Sequence, residues 1–269
     1  MNAFLHHFGY DFRTGIRDRS QLLMNYLFPL VFFLLVSGLM VSVNPGFREQ
    51  MLPAMTLFAI LSSTLLSLPA NLVTSREAGV FRSFRINGVP SGALLSIPPL
   101  GGAVHMAVVA AIIGFLGPLM YGGAAPANVA GYAAAGLLAY AAHAGAGALI
   151  GVAAASNRST IMLGQLFYLP SIMLGGLMVP AAALPPVLAR VSLLLPASHA
   201  MRVFAALGMR PGSGPFPWTS VAALGAGTVA AFSLAALLFQ WDSRQSQPGR
   251  RTYLALFGLL PYVVAAIAG

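Results

Sequence analysis

Residues 75–90 read SREAGVFRSFRINGVP, from Ser75 to Pro90. This is the longest charged island in an otherwise oily chain. Arg76, Glu77, Arg82 and Arg85 fall within ten residues, with long apolar runs on either side. Thr74 followed by Glu77 fits a capping box, in which a hydroxyl accepts from the third helical N–H and the carboxylate bonds back. Asn87-Gly88 supplies a C-terminal stop, and Pro90 cannot continue a helix. The spacing predicts a short helix of about three turns between two membrane spans. On its wheel Val80, Phe81 and Phe84 share one face, while Arg82 and Arg85 point elsewhere. Two readings stand at this point. One is a positively charged loop that fixes topology. The other is a capped surface helix that offers aromatics and arginines to another protein.

The flanking sequence sets the class. Of 269 residues, 58% are hydrophobic and only 7% charged, where globular chains carry about a quarter charged residues. Several apolar stretches reach the roughly 20 residues that cross a bilayer. The expectation is one all-α polytopic membrane domain over residues 1–269, without room for a separate soluble domain. All 14 basic residues are arginine, against five acidic ones, giving a net charge of +9. In a membrane protein such an excess orients the chain and meets anionic headgroups. A nucleic-acid partner would need a basic face on a soluble module, so none is expected. The lack of cysteine excludes thiol catalysis, disulfides and cysteine metal sites.

Working outward, Phe4, Leu5, Phe8, Phe12 and Ile16 form a stripe opposite His7, Asp11, Arg13, Arg17 and Asp18. This predicts an interfacial amphipathic helix over residues 1–21. The apolar run after it is too long for a signal-peptide core and is expected to be retained. The expected core spans residues 22–239, with six transmembrane helices at Leu22–Val43, Met51–Val73, Gly92–Gly117, Val129–Ala155, Thr160–Met178 and Thr219–Phe239. The third is expected to be interrupted at Pro98-Pro99. Val179–Trp218 holds seven prolines and is expected to form short re-entrant or interfacial helices. Gln240–Thr252 is polar. Residues 253–269, Tyr253–Gly269, are apolar but brief, a possible seventh segment. With the amino terminus in the cytoplasm, ten of the fourteen arginines lie inside, as the positive-inside bias requires.

The residue types also limit the chemistry. All five acidic residues, Asp11, Asp18, Glu49, Glu77 and Asp242, fall at span ends or in loops. That disfavours a carrier driven by protons or sodium, which uses a carboxylate within the membrane. A P-loop needs a lysine and this chain has none, so ATP hydrolysis must reside elsewhere. Neither HExxH nor G-x-S-x-G occurs, and no catalytic residue or bound metal is expected. His105 and His143 are the ionisable groups within the apolar runs. With Gln165, Asn25 and Asn71 they are either polar contacts between helices or a substrate path. Gly147-x-x-x-Gly151 permits close helix approach.

The order of these features resembles the membrane subunit of type-2 ABC exporters, a permease family that includes drug and polysaccharide exporters. The resemblance covers roughly residues 4–241. It is carried by the amphipathic amino-terminal helix, the island Glu77, Gly79, Arg82 and Arg85 followed by Gly88-Val89-Pro90, then Gly176-x-x-x-Pro180 with Leu184-Pro185 and Leu195-Pro196, and last Phe239-Gln240-Trp241. It implies that the island is a cytoplasmic coupling helix docking into a separate ABC ATPase. Glu77, Phe81, Arg82, Phe84 and Arg85 would carry that contact, and the partner would bind ATP and Mg. It implies two permease copies, as a homodimer or heterodimer, in a bacterial plasma membrane. It also implies that the proline-rich stretch closes the exit. Six spans normally end such a permease, so Tyr253–Gly269 departs from the pattern. A membrane-embedded scaffold without a transport cycle and a secondary transporter are the alternatives.

Overall fold

The computed structural model describes residues 8–9, 12–241 and 250–268, and within these every regular element is helical. Much of the amino-terminal stripe, including Phe4, Leu5, His7 and Asp11, lies outside the described residues, as do Asp242 and Arg244. Residues 12–15 are helical. Phe12 stacks on His105 with ring centroids 4.9 Å apart.

Five helices are long and apolar enough to cross a membrane: α1 (Arg19–Val43), α2 (Met51–Glu77), α4 (Ser91–Tyr121), α5 (Val129–Ala153) and α9 (Trp218–Leu238). Between α2 and α4 lies the short α3 (Val80–Ile86). α6 (Asn157–Leu174) comes after α5. Then come α7 (Pro186–Ser192) and α8 (Pro196–Met209), bent by 90° to each other, and the chain ends in α10 (Tyr253–Ile267). By length and hydropathy alone that gives five spans, or six with the bent pair taken as one. The expected fifth span, Thr160–Met178, is helical as α6 but shifted toward the amino terminus. Ser156 and Ser159 form a capping box that starts it early, and Asn157 and Arg158 in its first turn dilute its hydropathy.

α2 is the hub. Its apolar window is 94% buried, against 22% for α1 and 28% for α4, and α1, α4, α5 and α6 all pack on it. Both α1 and α2 contain a π-helical turn, at Leu23–Leu27 and Ser62–Ser67. Each turn ends just before a proline, Pro29 or Pro69. Proline lacks an N–H and its ring crowds the carbonyl four residues back. The ladder shifts accordingly to bonds from Phe28 N–H to Leu23 O and from Leu68 N–H to Ser63 O. The bulge in α2 pushes carbonyls outward onto glycines. A Cβ on Gly147 of α5 would run into the Thr64 carbonyl, and one on Gly164 of α6 would lie 2.6 Å from Leu65 O. Gly151 likewise packs on Leu72 and Pro69, so Gly147-x-x-x-Gly151 is the seam between α5 and α2.

Three expectations need correction. α4 runs without a break through Pro98-Pro99, because two prolines free only two carbonyls and neighbours tolerate that. Tyr140 of α5 donates to Pro99 O at 2.7 Å. The island does not form one helix of three turns. Ser75–Glu77 extend α2, and Gly79 at φ 76° turns the chain before the seven residues of α3. That left-handed angle favours glycine. Thr74 and Glu77 therefore form no capping box, since they sit in the last turn of α2.

The bent pair is re-entrant. Pro180, on the way into α7, lines a cavity with Glu49 at the start of α2. At the end of α8, Gly208 O accepts from Asn128 N–H at 3.0 Å. Both ends thus lie opposite α3, while Pro196 borders an inner cavity with Phe167 and Gly227. α10 packs along α9 and α5. Tyr262 sits against Gly227, and a Cβ on Gly258 would lie 2.8 Å from Leu149.

Candidate functional site

The end of the molecule that carries α3 is assembled from side chains bonding to helix ends. The last turn of an α-helix leaves carbonyls without intrahelical donors. α5 ends in Ala153-Ala154-Ala155, which offers neither glycine nor asparagine as a stop. Arg76 of α2 takes that role. Its guanidinium donates to Gly151 O at 3.4 Å, Val152 O at 3.3 Å and the Ala154 carbonyl. Arg76 is buried, 3% exposed, and its positive charge sits where the helix dipole is negative. One turn away, Asn157 at the start of α6 donates to Thr74 Oγ1 at 3.2 Å and Glu77 Oε2 at 3.1 Å. The end of α2 is thereby tied to the end of α5 and the beginning of α6.

α3 is seated on this base by aromatics. Phe81 is buried, its ring 5.4 Å from that of Phe239, which meets Trp241 edge-on at 5.2 Å. Arg85 lies over the Trp241 ring at 5.9 Å. Phe84 is half-buried against the core. Arg82, Arg85 and Ile86 face outward, with Ile86 80% exposed. Glu77 is exposed at the end of α2. The expected island residues therefore divide: Phe81 points into the protein, while Glu77, Arg82 and Arg85 are at the surface.

Of the expected polar residues of the spans, Asn25, Asn71 and His105 line one cavity, while His143 and Gln165 lie elsewhere. His105 of α4 pairs with Tyr26 Oη at 2.6 Å. His143 of α5 is buried, its Nδ1–H donating to Ala139 O at 2.7 Å. Gln165 is half-buried on α6. Among the described residues no cluster of three or more His, Asp or Glu could hold a metal.

Sequence reasoning passed over Arg76 as a site residue, counting it only as one charge of the island. The signal was available in the uncapped carboxyl end of α5. It also passed over His199, buried between Ser220 Oγ at 3.1 Å and Leu193 O at 2.8 Å, where it links α8 to α9. It missed the two π turns as well, although Pro29 and Pro69 were there to mark them.

A short helix turned out at one end of a buried hub of apolar spans, with a re-entrant pair at the opposite end, is the architecture of a multi-pass membrane protein. The profile of the ABC-2 type transporter family matches residues 4–207, about three quarters of the chain. The chain belongs to the ABC-2 type transporter family and is a permease subunit of an ABC transporter. No curated protein and no solved structure matches it.

Proposed function

We propose that this chain is the permease of an exporter in which α3 docks into a separate ATPase subunit. The observation that carries the reading is the build of α3. Its base is fixed by Phe81 on Phe239, while Arg82, Arg85 and Ile86 project from the surface. A helix held on one side and charged on the other suits transmission of force between two proteins. Arg82 and Arg85 are the charge partners, Ile86 the apolar contact, and Glu77 flanks them. Phe84 backs the helix, and Phe81 acts as its internal anchor. ATP and Mg belong to the ATPase chain, since this sequence has no lysine for a P-loop. The arginine-rich end faces the cytoplasm of a bacterial inner membrane, with the amino terminus inside.

The working unit has two permeases. α1 and α6 turn large apolar side chains outward, among them Leu35, Leu39, Leu166 and Met173, and they supply the shared face. Co-purification with the ATPase tests the docking. Ile86→Asp and the double change Arg82→Glu with Arg85→Glu are expected to abolish capture of the ATPase while leaving membrane insertion intact. Retained capture by both variants overturns the role of α3. For the pair, Leu35→Cys and Met173→Cys lie equally many residues into their helices and have no background thiols. They are expected to cross-link between copies; strong cross-links along α4 instead reject this face.

A further inference from the structure

The two π turns enclose a cavity. Leu23–Leu27 of α1 and Ser62–Ser67 of α2 pack against each other at the α3 end. Between them, α3 and α4 lies a space of about 190 Å³. π turns insert a residue and re-aim the neighbouring side chains, and they recur at functional sites. Here they carry Asn25, Ser63 and Ser67 to the cavity wall, where Gln21, Asn71 and Ser75 join them. The apolar part of the wall includes Phe81 and Phe84 of α3. Asn25 is only 6% exposed, and its Oδ1 has no hydrogen-bond partner among the described residues. A buried amide oxygen left unpaired is costly unless something donates to it.

The lining is polar, and its titratable groups are the His105 imidazole, bonded to Tyr26 Oη, and the Tyr140 phenol, which donates to Pro99 O. Among the described residues no arginine, aspartate or glutamate borders this space, although Arg76, Glu77 and Arg82 sit on adjoining turns of α2 and α3. A charged group entering it would shed its hydration without meeting a counter-charge. Hydroxyl and amide groups would find both donors and acceptors there.

We propose that this cavity binds a small uncharged polar group bearing hydroxyls or amides, admitted from the α3 end. The site gives the permease reading a substrate class and rests on that reading for its purpose. Its test reads chemical access rather than transport, so a failure here leaves that reading untouched.

The chain is free of cysteine, which allows single thiols to report on the cavity. Ser67→Cys and Ser75→Cys place a thiol in its wall. Ser83→Cys, exposed on α3, is the reference. The full-length protein in lipid nanodiscs is treated with methanethiosulfonates of similar size bearing a hydroxyethyl, a sulfonatoethyl or a trimethylammonioethyl group. Relative to their rates at Ser83→Cys, the neutral reagent is expected to outpace both charged ones by tenfold or more at each cavity position. Octyl glucoside is expected to slow the neutral reaction there, and octyl sulfate at the same concentration to leave it unchanged. Asn25→Leu is expected to remove the protection by octyl glucoside. Equal rates for the charged reagents overturn the proposal, as does protection by the sulfate alone. Rapid neutral modification without protection by either amphiphile shows a water-filled gap only and overturns it too. Should Ser67→Cys fail to fold, the half-buried Ser75→Cys carries the same comparison.

Discussion

The two ends of this bundle are held by different physics. At the α3 end, neighbouring helices are tied by side chains that bond to helix termini: Arg76 to the carbonyls of α5, Asn157 to Thr74 and Glu77. At the opposite end the re-entrant pair α7 and α8 borders a cavity of about 720 Å³. Besides bonds from Asn128 N–H to Gly208 O and from Arg48 Nε to Tyr121 O, that end carries an ion pair between Arg210 and Glu49 whose side chains are 61% and 66% exposed. The buried charge-assisted bonds of Arg76 hold a fixed geometry, whereas exposed pairs yield to water and salt. One end is built to move as a unit with whatever pulls on α3. The other is built to come apart. The proposed exporter would use that division, with force entering at the α3 face and a gate at the other.

The largest expected effect breaks the tied end. Arg76→Ala leaves three carbonyls of α5 without a donor in a buried place. Each hydrogen bond to a charged group contributes about 1.5–3 kcal/mol, so a loss of about 3 kcal/mol or more is expected. Arg76→Lys is expected to recover only part, because an ammonium lacks the planar fork that spans neighbouring carbonyls. The apparent melting temperature of the purified protein checks both. Wild-type melting of Arg76→Ala would mean that the tie is not what holds α2 to α5.

A second comparison divides α3 itself. Phe81 is buried on Phe239, while Ile86 is 80% exposed. Phe81→Ala is expected to destabilise by about 3–5 kcal/mol, as aromatic truncations in cores do. Ile86→Asp is expected to stay within about 0.5 kcal/mol of wild type, as surface changes do, and yet to lose the ATPase. Melting and ATPase capture measured on the same preparations separate anchor from contact. If Phe81→Ala melts normally, the seating of α3 is wrong.

These contrasts show what the linear sequence carries. The long spans were legible because uniform apolar runs admit few other structures, and α1, α2, α4, α5 and α9 lie close to their expected bounds. The re-entrant pair was legible from prolines that forbid a continuous helix. The inward and outward arginines were not. Arg76 and Arg82 are both arginines in one charged island, yet one is buried and one exposed. The difference comes from Gly79, whose positive φ ends α2 and redirects the chain into α3. Asn25 was named among several polar residues of the spans, but only the facing π turns bring it to one wall with Ser63 and Ser67. That meeting depends on two prolines, Pro29 and Pro69, far apart in the chain, a relation no local pattern expresses.

The smallest expected effect lies at the open end and is the sharpest check on the comparison. Glu49 and Arg210 join the start of α2 to the chain just after α8. Glu49→Gln keeps shape and hydrogen-bonding capacity while removing one charge. Exposed pairs of this kind contribute about 0–1 kcal/mol, because water already solvates both partners and holding two long side chains loses entropy. The change is therefore expected to leave the apparent melting temperature nearly where it was, and raising the salt concentration is expected to erase what little shift remains. Arg76→Ala in the same salt series is expected to keep its full deficit, since its partners are buried carbonyls that ions do not screen. The transport cycle should feel the two sites in the reverse order of their stability. A weak pair across a gate can be broken in each turnover at little cost, so Glu49→Gln is expected to alter the balance of open and closed gate without weakening the fold. Accessibility of a thiol at Ser198→Cys, buried in the wall of the 720 Å³ cavity, reads that balance. Faster modification in the Glu49→Gln background at unchanged melting temperature fits a gate. A melting loss as large as that of Arg76→Ala would mean that both ends are held alike, and the division of labour between them would fall.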